Sequence, residues 1–141
     1  MEIYIKIQNE KYTGIPHFIV GYDEMMEREF DFVAKICLTH SFPIKDFLFE
    51  DYSSYNREDL IKIKNILQKI EYNDYDRLIQ LCDMFFEGMN KVTYQERIEG
   101  IKRRFSLTDD QIKNLKKGAE TNKKYFDDLC GCDVYNIINI K

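Results

Sequence analysis

A chain of 141 residues that is 44% apolar and 14% aromatic has enough interior for one packed domain spanning 1–141. A formal net charge of −4 leaves no general basic footprint for nucleic acid, and no stretch approaches the ~20 apolar residues of a membrane span. The opening MEIYIKIQNEKY is interrupted by charges and is no secretory leader, so the expected location is cytoplasmic, with neither membrane nor nucleic acid as partner.

Residues 2–8, EIYIKIQ, alternate apolar and polar, which predicts a short extended arm over 1–14 that ends in a turn punctuated by Gly14 and Pro16. The helical core is expected over 15–141. A first helix over His17–Glu29 carries Phe18, Tyr22, Met25 and Met26 on one face, with Gly21 marking a close approach by another backbone. A second, Phe30 to His40, places Phe30, Val33, Ala34, Cys37 and Leu38 at helical spacing, and Pro43 forbids its continuation. His40 therefore sits at a helix C-terminus, a position that suits a cation or, with a neutral ring, a metal. Residues 44–56 read as an irregular loop or short helical turn. Asn56 caps a third helix, Arg57 to Ile70.

The stretch Tyr72–Glu87, YNDYDRLIQLCDMFFE, reads as the central helix, started by Asn73 or Asp74 and ended by Gly88. Tyr75, Leu78, Ile79, Cys82, Phe85 and Phe86 recur at three- and four-residue spacing, and Leu81 and Met84 widen that face, so the helix is expected to be buried on most sides. Asp83 lies inside this apolar zone, where an acid needs a partner or a metal. Asp76 and Gln80 share its polar stripe, which composition alone reads as solvated. Thr93 and Glu96 offer a capping box for a fifth helix, TYQERIEGIKRRF, and Thr108 caps a last long helix, Asp109 to Leu129. The tail VYNIINI packs as a short helix or strip.

Cys37 and Cys82 sit on apolar helical faces and read as core thiols. Cys130-Gly-Cys132 lacks the second pair or the histidines of a zinc site and is too tightly spaced for a Cys-x-x-Cys redox motif, so a structural role is expected. The lysines of the last two helices alternate with acids and read as a solvated face. The only histidines are His17 and His40. With Asp83 they form a candidate cluster of two imidazoles and one carboxylate.

The strings ICLTHSFPIKDF (36–47) and NDYDRLIQLCD (73–83), with Gly21-Tyr22 after His17 and the ending KKYFDDLCGCDVYNII (123–138), resemble HD-superfamily metal-dependent phosphohydrolases from about residue 15 onward. The resemblance implies an all-α, HD-like bundle of about six helices around a divalent metal (Mn, Mg, Fe, Co, Ni or Zn). It implies His17 and His40 as the family's two intermediate histidines, Asp83 as its final aspartate and Lys45 as a phosphate contact. It also implies a small phosphorylated substrate, a phosphomonoester or nucleotide.

The family's His-Asp doublet is absent from the 141 residues, since His17 precedes Phe18 and His40 precedes Ser41. The chain therefore reads as an N-terminally truncated or degenerate relative of impaired activity, with no catalytic residue assigned. The alternative is a non-catalytic binding or oligomerisation module on the same scaffold. Either way, apolar faces left bare are expected to be covered in a homodimer, with the arm as a candidate contact.

Overall fold

In the computed structural model, residues 15–47, 55–105 and 107–137 are described. The extended arm expected over 1–14 lies outside them. Seven helices account for nearly all regular structure among the described residues, in keeping with the all-α reading. They are α1 (His17–Glu27), α2 (Asp31–Thr39), α3 (Arg57–Lys69), α4 (Asp74–Asp83), α5 (Tyr94–Phe105), α6 (Asp109–Cys130) and α7 (Val134–Ile137). Between α4 and α5, Phe86–Glu87 (β1) pairs antiparallel with Asn90–Lys91 (β2) in a two-strand hairpin. No helix among the described residues is long and apolar enough to cross a membrane.

The chain divides into two compact units at Asp76–Arg77, each with its own apolar cluster. In the first, Phe18 and Ile19 of α1 pack with Leu38, Phe42, Phe47 and the α3 residues Leu60, Ile63 and Leu67. In the second, Leu81, Met84 and Phe85 pack with Ile98, Ile112, Ala119, Phe126 and Val134.

The turn joining α1 to α2 is unusual in its residue. Glu29 takes φ 62°, the left-handed conformation that normally falls to glycine at a helix end. The amide of Phe30 donates to the Met25 carbonyl (2.9 Å) and that of Glu29 to Met26 (3.1 Å), which reverses the chain within a few residues. The helices then run back along one another. Gly21 meets Cys37, where a β-carbon on Gly21 would lie 3.0 Å from the Cys37 β-carbon. The close approach expected at Gly21 is thus to a side chain of α2.

The central helix differs from expectation in length and in face. It ends at Asp83, not Glu87, because the Met84 and Phe85 amides turn back to Leu81 and Cys82 (3.1 and 2.9 Å). Phe85 is thereby buried, and the following residues enter the hairpin, with Gly88 at φ 62°. The face expected to be buried is largely outside: Tyr75 is 63% exposed, and Leu78, Ile79 and Phe86 are also open. The stripe expected to be solvated turns inward, with Asp76 0% and Gln80 3% exposed. Polar partners supplied from other helices decide this. Asp76 meets Thr39 and Lys35, and Gln80 accepts from Asn122 Nδ2 at 2.9 Å.

The caps follow their chemistry. Asn56 accepts from the Glu58 amide (2.8 Å) at the start of α3. Thr93 and Glu96 close the capping box of α5, with the Thr93 amide donating to Glu96 at 2.7 Å. Thr108 and Gln111 close another at α6, which ends on Gly131 in the left-handed conformation (φ 69°, ψ 20°). Several basic residues of α5 and α6 pair with acids: Lys102 with Asp109, Lys123 with Asp127 and Asp133, and Lys124 with Asp128.

Candidate metal centre

His17 is the first residue of α1, directly after Pro16, whose carbonyl receives the Ile19 and Val20 amides. His40 caps the C-terminus of α2, its amide still bonded to the Ile36 carbonyl at 3.1 Å. The tight reversal at Glu29 sets the start of one helix beside the end of the other. One turn inside the hairpin Gly21 faces Cys37. At its open end His17 faces His40, with Nε2 to Nε2 at 3.0 Å.

The orientation of His40 is fixed by two further contacts. Its Nδ1 lies 2.8 Å from the Cys37 carbonyl, which can only accept, so Nδ1 carries the proton. In the neutral ring Nε2 then holds a lone pair, approached by Ser41 Oγ at 3.0 Å and by His17 Nε2. An imidazole held to a backbone carbonyl through one nitrogen, with the other presented outward, is the common arrangement of a metal-binding histidine.

As it stands the contact is a hydrogen bond: His40 Nε2 accepts, so His17 Nε2 carries the proton, and a shared ion would have to displace that proton. Two nitrogens each about 2.0–2.1 Å from a tetrahedral metal lie about 3.3 Å apart, close to the 3.0 Å between these two. Two imidazoles fill only part of a coordination sphere. Among the described residues no group of three or more His, Cys, Asp and Glu side chains gathers around one point.

Asp83 belongs to the second unit. It is not the buried acid expected from its neighbours: its side chain is 43% exposed and takes Arg97 Nη2 at 2.9 Å, while Arg97 Nε holds the Asp83 carbonyl. Within the central helix the fully buried acid is Asp76. Its Oδ1 accepts from Thr39 Oγ1 (2.7 Å), and its Oδ2 accepts from the Asn73 amide (2.8 Å) and meets Lys35 Nζ (2.6 Å). The string Asn73-Asp74-Tyr75-Asp76 has the offset of a capping box, and that signal could have singled it out.

Lys45 Nζ donates to the Ile70 carbonyl and lies 4.6 Å from the centre of the Tyr72 ring. Tyr72 is anchored in turn by its hydroxyl on the Phe42 carbonyl (2.6 Å). An ammonium has three donors, and the Ile70 carbonyl takes one of them.

Cys37 and Cys82, expected as core thiols, are only half-buried, and that burial raises both thiols above their ordinary range. Cys130 and Cys132 are both exposed, on either side of the left-handed Gly131 that ends α6.

Compared with known proteins, the chain matches no family model, no curated protein and no solved structure.

Proposed function

We propose that this chain is a helical metal-binding module of HD-superfamily type. In this reading His17 and His40 hold one divalent cation that engages the phosphate of a small phosphorylated compound, and hydrolysis is weak. The convergence of the two Nε2 atoms at 3.0 Å carries the reading, together with the family-like strings around them.

A bound divalent ion polarises phosphoryl oxygens and provides hydroxide at neutral pH. The chain's own residues have narrower tasks. The Cys37 carbonyl fixes the His40 tautomer, the hairpin holds His17 opposite, and Lys45 supplies a cation for the phosphate. The missing His-Asp doublet limits the rate, because two protein ligands hold an ion less firmly than a full set. The test is elemental analysis of the chelator-stripped chain after exposure to manganese, cobalt, nickel or zinc, with a general phosphomonoesterase assay alongside. One ion per chain with slow, metal-dependent turnover supports the reading. No retained ion and no turnover in any metal overturns it.

A second reading, a non-catalytic module that self-associates, is favoured by a different observation. Phe32 and Tyr75 stack edge to face (centroids 5.6 Å) on the surface, beside exposed Phe30 and Val33. Such a patch suits a contact between copies. Light scattering distinguishes the two. A dimer dissociated by Phe32→Lys supports this role, and a monomer removes it.

A further inference from the structure

The C-terminal end of α6 holds two exposed thiols, Cys130 and Cys132, on either side of Gly131. The distance between the α-carbons flanking a residue is set by that residue's own φ and ψ. At φ 69° and ψ 20°, Gly131 is close to the mirror image of a helical residue. Mirror images keep distances, so the flanking α-carbons lie about 5.5 Å apart, the spacing of residues i and i+2 in a helix. Disulfides bridge α-carbons between about 4.4 and 6.8 Å apart, most often near 5.5–6 Å. A non-glycine residue would adopt this conformation only at a cost.

The turn is held without help from the thiols. The Gly131 amide donates to the Asp127 carbonyl (2.9 Å) and the Val134 amide to Asp127 Oδ1 (2.9 Å). Lys123 Nζ ties Asp127 to Asp133 (2.6 and 2.9 Å), and Asp133 Oδ1 accepts the Tyr135 amide (3.0 Å) to start α7. The ring can therefore open or close with the backbone already in place.

We infer that Cys130 and Cys132 form a reversible dithiol–disulfide couple that exchanges with low-molecular-weight disulfides. The thiolate of one cysteine attacks such a disulfide, forming a mixed disulfide and releasing one small thiol. The second cysteine attacks the protein sulfur of that adduct, closes the internal bond and releases the other small thiol. Two protein thiols are oxidised, one small disulfide is reduced to two thiols, and the two protein protons pass to the released thiolates. Exposed disulfides of this kind are labile and easily reduced.

The test equilibrates the full chain in buffers of graded oxidised-to-reduced glutathione, traps free thiols with an alkylating tag, and maps the tags by peptide mass. The expected result is joint loss of tagging at 130 and 132 in one two-electron transition, with a linked 130–132 peptide. The half-buried Cys37 and Cys82 stay tagged after denaturation. In Cys132→Ser, Cys130 should carry a single glutathione. Stable glutathione on both cysteines of the native chain, bridges between copies in place of the internal bond, or thiols that stay reduced in oxidised buffer would each overturn the inference.

Discussion

The Asp76 carboxylate is fully buried and lies 2.6 Å from Lys35 Nζ, which also donates to the Glu71 carbonyl at 2.7 Å. This pair, with Thr39 on the other carboxylate oxygen, ties α2 to the start of α4 and so positions the helix end that bears His40. Removing the charge of Asp76 leaves a largely buried ammonium without its partner. Asp76→Asn is expected to destabilise the fold by roughly 3–5 kcal/mol, read as a lower midpoint in urea unfolding with an unchanged slope.

Glu29 bears a conformational cost that glycine would not. In the left-handed region an ordinary residue pays about 1–2 kcal/mol. Glu29→Gly is expected to raise stability by about 1 kcal/mol. Thermal unfolding checks it, and metal binding should be unchanged because the hairpin is the same.

Gly21 bears the opposite expectation. Alanine is the better helix former, yet its β-carbon would press on Cys37 at 3.0 Å, inside ordinary contact. Gly21→Ala should cost about 1–3 kcal/mol. By prising α1 from α2 it should also weaken metal binding, a combination that a surface substitution would not produce.

Tyr94 offers a pH test. Its hydroxyl is buried without a hydrogen-bond partner among the described residues. Burial, with smaller contributions from Tyr135 and Glu120, pushes its ionisation up to about 12. The unfolded chain releases this proton near the ordinary value of about 10. The neutral form's contribution is therefore complete below pH ~10 and is lost as pH rises towards 12. Wild type should lose stability relative to Tyr94→Phe across that window. Near neutrality the variant should be equal or up to about 1 kcal/mol more stable, since no bond is lost.

Helices with strong local punctuation were legible in the sequence. Asn56, Thr93, Thr108 and Gly131 mark ends that the structure keeps to within a residue or two, and α2 stops at Thr39, ahead of Pro43. The central stretch was not. Its aromatic spacing drew a face that is mostly exposed, because periodicity locates a stripe but does not say which partners wait for the other one. Lys35 and Thr39 lie 41 and 37 positions before Asp76, and Asn122 lies 42 after Gln80. No local pattern reports such pairings. The same limit applies to the site: two histidines at helix ends could be read, but their convergence depends on a left-handed glutamate with no sequence signature.

The most direct measurement is a calorimetric titration of the chelator-stripped chain with cobalt or zinc, repeated on His17→Ala, His40→Ala and Asp83→Asn. One ion per wild-type chain and a loss of at least tenfold in either histidine variant are expected. The Asp83 variant reads whether that carboxylate contributes as well. No binding by the folded wild-type chain, or binding that survives loss of both imidazoles, would contradict the metal-binding reading.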